Sequence, residues 1–125
     1  MKKSILIVDD NPVELKIAQR LISRAQSECE VHLFSSGKDV LNFLSDQVSR
    51  LSVLFILLDL NMPHKNGFET LQEIRASYSN DLKVIIFTNS SDPEDRKKSL
   101  ELGANEFIVK PSGPSEYIEI IKNLL

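Results

Sequence analysis

Ile5-Leu6-Ile7-Val8-Asp9-Asp10-Asn11-Pro12 is the stretch on which the fold turns. Four apolar residues in a row, three of them β-branched, read as a short strand covered on both faces. The run stops at two adjacent carboxylates. Asn11-Pro12-Val13-Glu14 then supplies a capping Asn, a first-turn Pro and a reciprocal Glu in the order a helix start prefers. A doubly covered strand that passes straight into a helix is the opening of a repeating strand–helix unit.

The same alternation continues to the end of the chain. Strands are predicted at Ile5–Val8, Glu30–Phe34, Val53–Leu58, Val84–Phe87 and Phe107–Val109. The first, third and fourth are unbroken in apolar character. Glu30–Phe34 alternates and is more polar, and the last run is short, so these two suit the sheet edges. Further helix starts are read at Ser36, at Asn66-Gly67-Phe68-Glu69, at Asp92-Pro93-Glu94-Asp95 and at Gly113-Pro114. In the first helix Val13, Ile17, Ala18, Leu21, Ile22 and Ala25 recur at the spacing of one buried face. Gly103 after Leu102 reads as a left-handed helix stop. Five strands, each followed by a helix, imply an α/β fold: a doubly wound five-stranded parallel sheet with helices on both faces.

Composition narrows the function classes. A chain of 125 residues with 42% hydrophobic and 26% charged residues is one ordinary folded domain. A net charge of −3 argues against a nucleic-acid surface, and Arg96-Lys97-Lys98 is flanked by Glu94, Asp95 and Glu101 as a solvated helix face would be. Cys29 is the only cysteine, which points to a reducing compartment. The apolar run after Met1-Lys2-Lys3 is too short for a signal peptide or a membrane span, so a cytoplasmic protein is expected. No glycine-rich nucleotide loop is present. His32, in the polar edge strand, and His64, in a loop, are expected to be solvated.

In a parallel sheet function collects at the carboxyl ends of the strands. Here those ends carry Asp9-Asp10, Asp59, Thr88 and Lys110. Turn formation alone is a poor account of them, since Asn11 already caps the first helix. Carboxylates brought within about 4 Å repel by roughly 4 kcal/mol per pair at an effective dielectric near 20. One lysine does not offset three of them. A divalent cation does, and oxygen donors with room for water and phosphate suit Mg²⁺.

The motifs taken together resemble the receiver domains of two-component response regulators. Ile5-Leu6-Ile7-Val8-Asp9-Asp10-Asn11 resembles their opening. Leu57-Leu58-Asp59-Leu60-Asn61-Met62-Pro63, continued by His64-Lys65-Asn66-Gly67-Phe68-Glu69, resembles their phosphorylation strand and loop. Ile86-Phe87-Thr88, Leu102-Gly103-Ala104 and Phe107-Ile108-Val109-Lys110-Pro111 follow in the family's order. The resemblance covers essentially the whole chain and implies a flavodoxin-like sheet of strand order 2-1-3-4-5. It also implies a single receiver domain over residues 1–125 without an output domain.

By that resemblance Asp59 accepts a phosphoryl group from a histidine kinase or histidine phosphotransfer protein. Asp9, Asp10 and Asp59, with the Asn61 backbone carbonyl, hold Mg²⁺. Lys110 pairs with Asp59 and then with the phosphoryl oxygens, Thr88 donates its hydroxyl, and Phe107 is the aromatic that turns inward. The Lys110–Pro111 peptide bond is expected to be cis. The fourth helix, fifth strand and fifth helix are expected to form the face for a downstream protein, with homodimerisation left open and no direct contact with nucleic acid or membrane. The chain would catalyse its own phosphorylation and dephosphorylation rather than act on metabolites. One departure is Asn89, where the family usually places a very small residue; with Asn61 and Ser90 it leaves the phosphorylation lifetime open. A phosphorylation-independent scaffold is the alternative, disfavoured by the intact Asp10, Asp59, Thr88 and Lys110. An aspartate-dependent phosphatase would place a second Asp two residues after the nucleophile, where this chain has Asn61.

Overall fold

A computed structural model of the chain describes residues 3–26, 28–47, 52–62, 66–78 and 82–125. Pro63, His64 and Lys65 of the loop motif lie outside the described residues, as do Met1 and Lys2. Five strands, β1 (Lys3–Val8), β2 (Glu30–Phe34), β3 (Ser52–Leu58), β4 (Val84–Thr88) and β5 (Glu106–Val109), form one sheet in the order β2-β1-β3-β4-β5. Every neighbouring pair is parallel. Between and after them run α1 (Pro12–Ala25), α2 (Gly37–Gln47), α3 (Gly67–Tyr78), α4 (Pro93–Glu101) and α5 (Pro114–Leu124). The expected doubly wound sheet and its flavodoxin-like order are both present.

Side-chain alternation in the central strands explains why they are apolar throughout. Ile5 and Ile7 point to a cluster with Leu15, Ala18, Leu21 and Ile22 of α1 and Tyr117 and Ile121 of α5. Leu6 and Val8 point the other way, to Val40 and Leu44 of α2 and Leu71 and Ile74 of α3. Each fully buried aliphatic side chain contributes about 1.5–3 kcal/mol, so the two half-cores together clamp β1, β3 and β4. The edge strand β2 has no fully buried residue.

α1 corrects the expected buried face. Leu15, Ala18, Leu21 and Ile22 turn to the sheet, while Val13 is 63% and Ile17 43% exposed. The inward stripe passes through Leu15 and packs on Ile5 and Ile7 of β1. The cap differs too. Asn11 Oδ1 accepts the N–H groups of Val13 (2.9 Å) and Glu14 (3.4 Å), but the Asn11 N–H donates to Asp9 Oδ1 at 3.0 Å rather than to Glu14. Only half of the anticipated capping box forms, and the Glu14 carboxylate is released for another partner.

Three of the other starts are capped by side chains, and Gly113 opens α5 without one. Ser36 Oγ accepts the Asp39 N–H, Asn66 Oδ1 that of Glu69, and Asp92 Oδ1 that of Glu94. Gly103 has φ +106°, the left-handed conformation expected after α4. Its carbonyl accepts from Arg75 Nε at 2.8 Å, and the same guanidinium reaches Leu82 O and Asn105 Oδ1, tying α3 to the loop before β5. α4 is held most lightly: only Ser99 is buried, Leu100 is 40% exposed, and Arg96, Lys97 and Lys98 are exposed, although Lys98 Nζ lies over the Phe68 ring. His32 is half-buried against the Phe43 ring rather than solvated.

Candidate functional site

The register places four strand ends side by side. Asp59 N–H donates to Val8 O at 3.0 Å, and Lys110 N–H to Thr88 O at 2.8 Å, so each strand's last bond fixes the residue that follows the neighbouring strand. The carboxylates of Asp9, Asp10 and Asp59 are thereby brought together, with ligand oxygens within 4.8 Å of one another. Asp9 and Asp59 are buried and Asp10 is exposed. Lys110 enters from the far side. Its Nζ lies 2.6 Å from Asp9 Oδ2, 3.8 Å from Asp59 Oδ2 and 3.8 Å from Glu14 Oε2.

Electrostatics separates the roles of these groups. Burial pushes the Asp59 carboxyl above the usual carboxylate range; Lys110 opposes that, Asp9 adds to it, and hydrogen bonds from the Asn61 N–H and the Thr88 hydroxyl lower it again. Burial lowers the Lys110 ammonium, but Asp9, Asp59 and Glu14 together outweigh it and hold the group above its ordinary value. Lys110 therefore stays charged at neutral pH. The one ammonium that touches the three-carboxylate cluster, through Asp9 and Asp59, is shared with Glu14, and an all-oxygen set short of positive charge, open on the Asp10 side, fits a hard divalent cation.

Thr88 is fully buried at the end of β4, and its Oγ1 accepts the Ser90 N–H at 3.3 Å. Ser90 Oγ in turn donates to Asp95 Oδ2 in the first turn of α4 at 2.6 Å. Phe107 is already inward, 8% exposed and packed with Ile86 and Ala104, so the inward turn expected of it is the position it holds here. Asn61 and Asn89 are exposed beside the site. Cys29 is half-buried, its thiol pushed up by burial, which suits an inert residue.

One expectation is overturned. No described peptide bond is cis, so Lys110–Pro111 is trans. With the Lys110 N–H fixed on Thr88 O, the side chain already reaches Asp9 and Asp59. The bond then keeps the isomer that X–Pro sequences favour by about 0.5–1 kcal/mol. The sequence reading also missed Glu14 as a member of the site, because the capping spacing accounts for a Glu there without any further role. The signal lay in its place: the third residue of a helix that begins directly over the Asp9-Asp10 strand end.

Comparison with known proteins meets this geometry. The family profile of the response regulator receiver domain matches residues 5–122. The chain belongs to the response regulator receiver domain family. Among curated relatives, the probable transcriptional regulator ycf27 of Cyanophora paradoxa is 34% identical over 125 residues, covering 99% of this chain and 48% of that protein. This receiver domain spans about half the length of the curated relatives it matches. Among solved structures, the phosphorylated cyanobacterial phytochrome response regulator RcpA superposes with a TM-score of 0.85 at 27% identity, covering 99% of this chain and 91% of that one. The Mn²⁺-bound response regulator Rcp1 gives 0.79 at 26%, covering 99% and 91%. Among the described residues of this receiver domain, no helix is long and apolar enough to cross a membrane.

The crowding of Asp9, Asp10 and Asp59 has a measurable consequence. Mg²⁺ is expected to raise the melting temperature, since a ligand that binds only the folded state stabilises it by about 2.7 kcal/mol at a hundred times its dissociation constant. Asp10→Ala is expected to remove most of that rise while leaving the metal-free protein as stable or more so. Thermal unfolding with and without Mg²⁺ checks both; a wild type indifferent to millimolar metal would mean that the acidic cluster is not a metal site.

Proposed function

We propose that this receiver domain is a phosphoacceptor switch of a two-component phosphorelay, taking a phosphoryl group on Asp59 from a histidine kinase or histidine phosphotransfer protein in the cytoplasm. The observation that carries the reading is Asp59 buried beside both Lys110 and the Asp9-Asp10 pair at the open end of the sheet. Asp9, Asp10 and Asp59, with the Asn61 carbonyl, are the groups that would hold Mg²⁺. When bound, the cation supplies the charge neutralisation that lets an anionic phosphoryl group approach carboxylates. An Asp59 carboxylate oxygen forms the new bond to phosphorus as the bond to the donor's imidazole nitrogen breaks, the electron pair leaving with the nitrogen. Lys110 follows the charge from Asp59 to the phosphoryl oxygens, and Thr88 donates its hydroxyl to one of them. Most of the catalytic contribution is positioning and electrostatics, as phosphoryl transfer requires.

The route outward runs through Thr88. Its hydroxyl receives the Ser90 N–H, and Ser90 holds Asp95 on α4, so a hydroxyl that turns to phosphate pulls on the start of the most lightly packed helix. Arg96 Nη1 on Phe107 O, at 3.4 Å, couples that helix to β5. The face of α4, β5 and α5, with Leu100 and Val109 exposed, is the surface whose shape then changes for a downstream protein. The phosphate biases the equilibrium only through contacts that differ between the two states.

Incubation with acetyl phosphate and Mg²⁺ is expected to add one phosphoryl group that hydroxylamine removes. Thr88→Ala is expected to leave labelling in place but to lose the amide shifts that beryllofluoride, a phosphate mimic, produces across α4 and β5 in wild type. Wild-type shifts confined to the surroundings of Asp59 would remove this face as the output surface.

A further inference from the structure

The geometry points to Glu14 as a positioning residue that holds the Lys110 ammonium back from the phosphoryl site and so selects against small dianionic phosphodonors, an inference that rests on the phosphoacceptor reading above. Lys110 Nζ is shared between Asp9, Glu14 and Asp59. Asp9 and Asp59 belong to the acidic cluster, whereas Glu14 does not. Glu14 is free to take this place because its usual partner at a helix start, the Asn11 N–H, is bound to Asp9. The Glu14 carboxylate lies on the α1 side of the ammonium, and its side chain is 35% exposed where α1 borders a cleft shared with Lys110, Pro111 and Tyr117.

Two effects follow from that placement. A phosphoryl group arriving at Asp59 must draw Lys110 away from Glu14 before it gains the full benefit of the cation. The negative charge of Glu14 also lowers the potential felt by any anion entering the site. The first cost is the same for every donor, but the second grows with the donor's charge, so a dianion such as acetyl phosphate is disfavoured more than a monoanion such as phosphoramidate.

The test is a charge series at position 14, read as the second-order rate constant of phosphorylation at saturating Mg²⁺. Glu14→Gln is expected to raise the acetyl phosphate rate about five-fold, the scale of one unit charge near 4 Å screened almost as in water. Glu14→Lys raises it further, Glu14→Asp stays near wild type, and the gain with phosphoramidate is smaller. Added salt narrows the spread. Gln serves a helix start as well as Glu does, so a merely structural role would leave Glu14→Gln unchanged. Glu28→Gln, an exposed charge at the opposite end of the sheet, is the control and is expected to do nothing. In the metal-free protein, the Lys110 ¹³Cε signal is expected to shift in Glu14→Gln and not in Glu28→Gln. Equal rates in wild type and Glu14→Gln, or an equal gain in Glu28→Gln, would overturn the role of Glu14 alone. A wild type that accepts no phosphoryl group at all would overturn the phosphoacceptor reading, and this inference with it.

Discussion

Asp59→Asn is expected to abolish hydroxylamine-labile phosphorylation by acetyl phosphate, measured as the mass increase of the intact protein. The amide is isosteric but lacks the anionic oxygen that must form the bond to phosphorus, so the loss should be complete rather than graded. The same substitution is expected to stabilise the metal-free protein. Asp59 is buried, with its carboxyl pushed above the usual range by burial and by Asp9 despite Lys110. For a group whose folded pKa is raised, the favourable contribution is present below the unfolded value and is lost as pH rises through the folded one. At neutral pH the wild type therefore carries a penalty that asparagine lacks. The gain should be roughly 1–2 kcal/mol, a part of the ~4 kcal/mol that two like charges 4 Å apart feel at an effective dielectric of 20, since Lys110 offsets much of it. The advantage should shrink as pH falls and Asp59 becomes protonated. Melting temperatures across the acid range check the sign. A mutant advantage that grows toward low pH would contradict the electrostatic account.

Gly67→Ala is expected to be the most damaging single substitution near the site. A Cβ on Gly67 would overlap the backbone carbonyl oxygen of Asp59 and lie 2.7 Å from Leu60 Cα and 3.0 Å from the Asp59 carbonyl carbon. All three are main-chain atoms that no rotamer change can move. The Gly67 N–H also donates to Leu60 O at 3.0 Å, so the first turn of α3 cannot back away without breaking that bond. A loss of about 3 kcal/mol or more is expected, in the range reserved for backbone clashes and core cavities. Because the displaced backbone is that of Asp59, phosphorylation should fall even where the fold survives. Gly113→Ala is the control: nothing lies within 4 Å of its added Cβ, and a cost within about 1 kcal/mol is expected. Urea midpoints for the two variants give the comparison, and similar values would show that the loop around Asp59 can relax.

Much of the site was legible because apolar runs end abruptly in charge. Val8-Asp9-Asp10, Leu58-Asp59, Phe87-Thr88 and Val109-Lys110 each mark a strand end, and a parallel sheet leaves those ends together. The strand order was supplied by the family resemblance rather than by any pattern of hydrophobicity. The first helix carries two apolar stripes, one through Val13 and Ile17 and one through Leu15 and Ala18, and periodicity does not say which of them meets the sheet. Glu14 was absorbed by the capping pattern, because the competing bond from Asn11 to Asp9 exists only once the strand end has turned. The isomer of Lys110–Pro111 is decided by less than about 1 kcal/mol, too little for a dipeptide sequence to settle. The inward Phe107 on β5 and the Ser90–Asp95 hydrogen bond to α4 are set by tertiary packing rather than by local sequence.

The residue that carries the phosphoryl group can be mapped chemically. The protein is treated with acetyl phosphate and Mg²⁺, reduced with borohydride to convert an aspartyl phosphate to homoserine, digested and sequenced by mass spectrometry. Homoserine at position 59, absent when Mg²⁺ is chelated, is the predicted result. Homoserine at Asp9 or Asp10, or none at any position in a protein that remains folded, would contradict it.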